Sequence, residues 1–139
     1  MDWSGAYPDV VTAVYGRDCV AIYGVNSQYP SATLTFVADA AASGEAELTL
    51  TGLDDEWSGQ NLIEVTVNGE VVYEGASGFK SWNPSTSQVA WSQITISFDS
   101  DLIVDGENEI TVTNGAQAAN FGTPPYVLLA QAEVVINDD

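Results

Sequence analysis

The sequence predicts an all-β domain built from two antiparallel sheets of about eight to ten strands. Short segments of alternating apolar and polar residues recur along nearly the whole chain, separated by turn-forming residues at the spacing typical of sandwiches and barrels. Valine, isoleucine, threonine and aromatic residues, which favour strands, are plentiful. No segment has the periodicity of a long helix, so we expect a single β domain spanning residues 1–139.

Alternation places several of the strands directly. Residues 31–38 alternate apolar residues with threonine, residues 45–53 alternate leucine with glutamate and threonine, and residues 91–98 alternate isoleucine with polar residues. Two further strands are expected at residues 10–15 and 19–25. The inward face of a last strand is predicted to comprise Tyr126, Leu128, Ala130, Ala132, Val134 and Ile136.

The strongest local signal is a hairpin at Asn68-Gly69, which lies between two β-like runs. Asn-Gly supplies the positive φ angles that a two-residue turn requires. A second turn is predicted at residues 105–108, where we expect the Asn108 side chain to bind neighbouring backbone groups rather than a ligand. A short β-like run precedes this turn at residues 102–104.

Two long segments, residues 75–90 and 114–125, are predicted to be irregular and polar. Long irregular segments inside compact domains are more often functional than idle. They are therefore the first places to look for a site.

Charge restricts the partners that this chain can have. Arg17 and Lys80 are the only basic residues against 20 carboxylates, which gives a formal net charge of -18. Nucleic acid is excluded because binding it needs lysine and arginine to replace counterions. Anionic membrane surfaces and, without a bridging cation, anionic polysaccharides are excluded on the same ground. What remains is a neutral or cationic partner or a divalent metal, although the charge also serves solubility.

Composition also argues against catalysis. The chain has no histidine, so Ser-His and Cys-His nucleophile systems are impossible, and the single Cys19 cannot form an internal disulfide. Two carboxylates suffice for glycoside cleavage, but carboxylates are so plentiful here that finding a pair is uninformative. We therefore predict a protein that is not an enzyme.

Three stretches of the chain stand in a characteristic order: residues 48–69, with Leu48 to Asp55 followed by Ile63 to Gly69, then residues 102–112, and finally residues 125–134. Together they resemble the galactose-binding-like jelly-roll superfamily, which includes many carbohydrate-binding modules. The resemblance covers roughly residues 31–136 and implies a jelly-roll β-sandwich that binds sugar. Members of this superfamily are often attached to secreted or cell-surface glycan-active enzymes.

Sugar binding needs an exposed aromatic ring for the C–H face of the sugar and amide or carboxylate groups for its hydroxyls. Trp82 with Asn83 is the first candidate pair, because no apolar pattern nearby assigns the ring to the core. Packing of the ring within its own loop is the alternative. Trp57 follows Asp54 and Asp55 between two strands, and its alternative is a ring folded over the edge of the sandwich.

Asn120 and Tyr126 flank the Pro124-Pro125 turn and complete the predicted ligand-binding set. Both residue types suit the rim of a sugar site, where an amide pairs with hydroxyls and a phenol stacks.

Structural calcium is an open expectation, and no other cofactor is predicted. The superfamily resemblance implies an acidic ligand near the end of the last strand, where Glu133 is the candidate. Asp99, Asp101 and Asp105 superficially suggest a calcium loop, but their spacing does not fit an EF-hand. Transition metals are disfavoured because histidine is absent and only one cysteine is present.

The function predicted from the sequence is non-catalytic binding of a neutral polysaccharide or oligosaccharide, with loop aromatics stacking on sugar rings. No apolar run is long enough to span a membrane. We expect the domain to be covalently linked to others in an extracellular or cell-surface protein. The alternative is a structural or adhesive β-sandwich that associates with other proteins or with itself and has no sugar ligand.

Overall fold

The computed structural model describes residues 3–5, 19–23, 30–38, 44–54, 62–79, 91–115 and 127–136. These residues form eight strands and one 3-10 turn. The elements are β1 Val20–Ile22, β2 Ser31–Ala38, β3 Glu45–Asp54, β4 Leu62–Val67, β5 Glu70–Ala76, β6 Ser92–Asp99, the turn Ser100–Leu102, β7 Gly106–Asn114 and β8 Val127–Ile136.

The strands pair into two antiparallel four-stranded sheets. The first sheet has the order β1-β8-β3-β6 and the second has the order β2-β7-β4-β5. The predicted all-β architecture is therefore confirmed, while the strand expected at residues 10–15 lies outside the described residues. In the part of the chain that the structure describes, no helix is long and apolar enough to cross a membrane.

The core fills the space between the two sheets, and the alternating leucines and isoleucines line it as predicted. Leu34 on β2, Leu48 and Leu50 on β3, and Ile110 on β7 are at most 2 % exposed. Phe36 and Ile94 are partly buried and pack against the same cluster. Burial of this size is the main favourable term in holding such a sandwich together.

The inward face predicted for the last strand is confirmed at Ala132, Val134 and Ile136 but is wrong at Leu128 and Ala130, because β8 contains a bulge. Thr51 pairs with Gln131 and Gly52 pairs with Leu129, so Ala130 has no partner of its own on β3. A bulge shifts the side-chain alternation by one residue. The residues of β8 that pack in or against the core are Val127, Leu129, Ala132, Val134 and Ile136.

At the start of β8, before the bulge, the side chain on the face turned away from the core is buried as well. Leu128 pairs with both Ala21 and Leu53, and all three are at most 1 % exposed although they stand outside the core cluster. This end of the first sheet is therefore buried on both of its faces.

Phe79 corrects the prediction that residues 75–90 are wholly irregular and polar. Strand β5 continues to Ala76, and the Phe79 side chain that follows is 0 % exposed and belongs to the core. Its ring lies directly against the backbone at the bulge, since a Cβ atom on Gly52 would come within 2.7 Å of both Phe79 Cζ and the Leu128 carbonyl oxygen. Only glycine leaves room for the phenylalanine.

The predicted hairpin is confirmed, with φ of 51° at Asn68 and 86° at Gly69. The Asn68 amide also reaches beyond its own turn. Its Nδ2 donates to the Leu102 carbonyl at 2.8 Å and to Asn108 Oδ1 at 2.9 Å, while its Oδ1 accepts from the Glu109 N–H at 2.9 Å. The hairpin is thereby tied to the connection between β6 and β7.

Asn108 has the structural role that the sequence predicted. Its side chain is fully buried, and its Oδ1 accepts from the Val104 N–H at 2.8 Å. Its Nδ2 donates to the Val104 carbonyl at 2.9 Å and to the Gly106 carbonyl at 3.1 Å. One buried amide thus satisfies backbone groups that would otherwise carry a desolvation cost.

The acidic stretch before β7 is a capped turn. Asp99 caps the 3-10 turn, with its Oδ1 accepting from the Asp101 N–H at 2.9 Å. The backbone N–H and the hydroxyl of Ser100 both donate to the Gly44 carbonyl. The short strand expected at residues 102–104 is therefore replaced by the end of this turn.

Candidate functional site

Strand pairing brings the predicted binding loops to one end of the sandwich. In the first sheet Asp54 is paired with Val127, and in the second sheet Leu62 is paired with Ala76 and adjoins Gly115. The segments between these strands, residues 55–61, 77–91 and 115–126, therefore all begin and end there. The Asn68-Gly69 hairpin and the 3-10 turn lie at the opposite end.

All seven side chains predicted to touch ligand fall outside what the structure describes. Asp54 is the exception in its backbone alone, which closes β3 opposite Val127. Assignment of a ligand to them stays a prediction. The members outside the described residues are Asp55, Trp57, Trp82, Asn83, Asn120 and Tyr126.

One hydrogen bond between the two sheets and two within the second sheet hold this end together. The Asn114 side chain is fully buried at the end of β7, and its Nδ2 donates to the Ile22 carbonyl in the other sheet at 3.1 Å. The Asn114 N–H donates to the Pro30 carbonyl at 2.9 Å, and the Gly115 N–H donates to the Leu62 carbonyl at 2.7 Å. The strand ends from which the loops depart are thus fixed relative to one another, which lowers the ordering cost of binding.

A groove of about 490 Å³ opens beside these strand ends on the second sheet. This volume falls within the range usual for small-molecule sites. Sequence reasoning missed the groove, because it depends on which strands are neighbours. Its lining residues are Leu62, Ile63, Glu64, Glu74, Gly75, Thr113 and Gly115.

The groove combines an apolar side chain with two acids and a hydroxyl. Leu62 is 59 % exposed there. Glu64 stands directly opposite Glu74 on β5 and, on its other side, opposite Thr113 on β7. A plain two-residue hairpin at Asn68-Gly69 would place Glu64 opposite Tyr73. The register shift between Val65 and Thr66 places Glu64 opposite Glu74 instead, so the sequence carried no signal for this pair.

The described residues do not complete a calcium site. Glu133 is exposed on β8 opposite Thr49, and within the described ranges no three His, Cys, Asp or Glu side chains are grouped so that they could hold an ion. Since Ca²⁺ takes six to eight oxygen ligands, a site at Glu133 would need ligands from the remaining segments. Calcium therefore stays a prediction.

No protein-family model matches this sequence, and no curated protein matches it. Solved structures do match its fold. A family 35 carbohydrate-binding module from Clostridium thermocellum superimposes with a TM-score of 0.63 at 14% identity, covering 94% of this chain and 87% of that one.

Two larger proteins contain the same fold. The Podospora anserina GH26-CBM35 β-(1,4)-mannanase matches with a TM-score of 0.58 at 18% identity, over 96% of this chain and 24% of that one. The insecticidal δ-endotoxin Cry8Ea1 from Bacillus thuringiensis matches with a TM-score of 0.60 at 14% identity, over 88% of this chain and 20% of that one. The jelly-roll β-sandwich predicted from the sequence is thus confirmed as the fold that this chain shares with these structures.

Proposed function

We propose that this domain binds carbohydrate without catalysis, through the loops at one end of the sandwich. The observation that supports this most directly is that three segments, each carrying aromatic, amide or carboxylate residues, start and finish at strand ends on that side of the sandwich. A fold shared with family 35 carbohydrate-binding modules adds support. Because one fold serves many functions, as the endotoxin match illustrates, the residues of the site carry the argument.

The residues at this end suit the chemistry of a sugar. An indole such as that of Trp82 offers a flat apolar face to pyranose C–H groups, while Asn83 and Asn120 offer a donor and an acceptor each to hydroxyls. Trp57 with Asp54 and Asp55 extends the same combination across a second loop. The ring of Tyr126 completes the set on the third loop.

The charge of the chain selects the glycan. With 20 carboxylates against two basic residues, a glycan rich in uronate or sulfate would be repelled. The ligand of the loops is therefore a neutral polysaccharide or oligosaccharide. A single shallow site of this kind binds in the μM to mM range, which corresponds to about -4 to -8 kcal/mol.

The chain has no histidine, which excludes Ser-His and Cys-His nucleophile systems; the fold shared with family 35 carbohydrate-binding modules supports binding over glycoside cleavage. One structural neighbour is named as a mannanase that includes a family 35 module. By analogy, this domain is a targeting module covalently linked to a catalytic or cell-surface protein outside the cell, where attachment to several sites raises avidity.

The test is a glycan titration followed by tryptophan fluorescence. Trp82→Ala is expected to abolish binding while leaving the thermal midpoint of unfolding unchanged. Trp3→Phe is the control for the loss of an indole, because Trp3 packs against the core and its neighbour Ser4 pairs with Thr33 on β2. Retention of full affinity in Trp82→Ala would contradict the assignment. A mass that rises with protein concentration, without any glycan response, would favour self-association instead.

A further inference from the structure

The chain contains two Asn-Gly pairs, and the structure places them in very different surroundings. Asn68-Gly69 forms the turn between β4 and β5, whereas Asn114-Gly115 lies where β7 ends. Asn-Gly is the pair in which an asparagine amide is lost most readily, because glycine has no side chain to shield its backbone nitrogen from the Cγ atom of the asparagine. The same chemistry is therefore present in two environments of one molecule.

The surroundings of the first pair are open to water. Asn68 and Gly69 are both exposed, and a Cβ atom on Gly69 would have no neighbour within 4 Å. In the part of the chain that the structure describes, the Gly69 N–H donates no hydrogen bond. The backbone nitrogen that would attack is therefore accessible, and only the Asn68 amide is held in place.

Both reacting groups of the second pair are engaged. The Asn114 side chain is fully buried, and its Nδ2 donates to the Ile22 carbonyl at 3.1 Å. The Gly115 N–H donates to the Leu62 carbonyl at 2.7 Å. Reaction at this pair would break both bonds, and the groups freed inside the sandwich would have no water to bind.

We propose that Asn68 is a site of spontaneous deamidation in the folded domain, and that the fold protects Asn114 from the same reaction. The Gly69 nitrogen loses its proton to solvent and attacks Asn68 Cγ. The new bond closes a succinimide ring while the bond between Cγ and Nδ2 breaks, and Nδ2 leaves as ammonia. Water then opens the ring at either carbonyl, which yields aspartate or isoaspartate. The sum consumes water and releases ammonia, and nothing is oxidised or reduced.

Hydrogen bonds of the Asn68 amide control the rate. Its Nδ2 is bound to the Leu102 carbonyl and to Asn108 Oδ1, and its Oδ1 is bound to the Glu109 N–H. The side chain must leave these partners before Cγ can turn to the Gly69 nitrogen. Because an exposed hairpin tip opens at a lower free energy than the core does, the reaction needs no separation of the two sheets.

Deamidation removes the tie between the hairpin and the connection from β6 to β7. A carboxylate only accepts hydrogen bonds, and at this position it faces the Leu102 carbonyl and Asn108 Oδ1, which are acceptors as well. Isoaspartate also adds a methylene group to the backbone of a turn that depends on φ of 51° at Asn68 and 86° at Gly69. Neither product restores the native contacts, so the loss is irreversible.

The test follows both pairs in the folded domain at mildly alkaline pH, with the chain unfolded in urea as the reference. A protease that cleaves after glutamate places the pairs in separate peptides, residues 65–70 and 110–133, in which mass spectrometry measures conversion of the amide to the acid. In urea the two asparagines are expected to react at similar rates. In the folded domain Asn68 is expected to react at least about tenfold faster than Asn114, which reacts only when the sheets separate.

Two results would overturn the inference. One is an equal rate at the two asparagines in the folded domain, because burial would then give no protection. The other is an Asn68 that stays intact in the folded domain, whether or not it reacts in urea, because the turn would then not be a site of modification.

The structural consequence is tested with Asn68→Asp, which is one of the two products. Its thermal midpoint of unfolding is expected to fall below those of the wild type and of Asn68→Gly. Asn68→Gly is the matched control, because glycine keeps the positive φ and removes the same side-chain contacts without adding a charge. A midpoint of Asn68→Asp equal to that of the wild type would refute the loss of the tie. The hairpin lies at the end opposite the binding loops, so glycan binding is expected to be unchanged in both variants.

Discussion

Replacing Asn108 by alanine should cost about 3 kcal/mol of unfolding free energy. Its amide makes four hydrogen bonds, to Val104 N–H, Val104 carbonyl, Gly106 carbonyl and Asn68 Nδ2, and the residue is 0 % exposed. At about 1 kcal/mol net for each bond the sum is about 4 kcal/mol. In the variant, the exposed Asn68 amide can hydrogen-bond to water, which recovers part of the free energy of the bond between Asn68 and Asn108. The expected loss is a large share of the roughly 5–15 kcal/mol typical of whole domains.

The assay is urea unfolding followed by tryptophan fluorescence, with an unchanged slope and a lower midpoint as the expected result. Asn108→Asp sharpens the test, because it keeps the shape of the side chain but replaces the amide donor with an acceptor facing the Val104 and Gly106 carbonyls. It should destabilise at least as much as alanine. Thr95→Val is the control, since it removes only the exposed hydroxyl contact to Thr49 at 3.2 Å, and should cost less than about 0.5 kcal/mol. A loss below about 1 kcal/mol in Asn108→Ala would refute the reasoning.

Three further predictions follow from the same structure. Gly52→Ala should cost about 1–3 kcal/mol, because its Cβ would meet the Leu128 carbonyl oxygen and Phe79 Cζ at 2.7 Å; an unchanged urea midpoint would show that the packing there is looser than described. Glu74→Lys should stabilise by about 0.2–1 kcal/mol, since it converts the like-charge pair with Glu64 into an attractive one; a lower thermal midpoint would contradict this. Calcium, which the superfamily resemblance implies, should raise the thermal midpoint by mass action, and equal midpoints in calcium and EDTA would remove the metal from the account.

Local sequence predicted the regular parts of the fold. The Asn68-Gly69 hairpin follows from the backbone angles of its two residues, and the strands β2, β3 and β6 follow from strict alternation. In each case the determining interaction is short-ranged or is a simple division between an inner and an outer face.

Features that depend on packing between distant residues were not predictable. Phe79 lies in a polar stretch and gives no periodic signal. It nevertheless fills a space that exists only because Gly52, on the other sheet, has no side chain. The bulge in β8 likewise depends on pairing with Thr51 and Gly52. An alternating sequence pattern does not show where a strand contains an extra residue.

The residues of the candidate site were chosen by type and their roles stay a prediction, whereas the position of their segments could not be inferred from the sequence. Aromatic and amide residues in long loops indicated sugar binding, whereas the meeting of those loops at one end depends on the order of the strands. The groove between Glu64, Glu74 and Thr113 required the register of three strands together.

The most direct test of the central claim is a glycan array with the isolated domain and its Trp82→Ala variant, run in calcium and again in EDTA. The account predicts a clear response to one class of neutral glycan, and loss of that response in the variant. A silent array in both conditions, with the protein shown to be folded, would contradict carbohydrate binding and favour the structural or adhesive alternative.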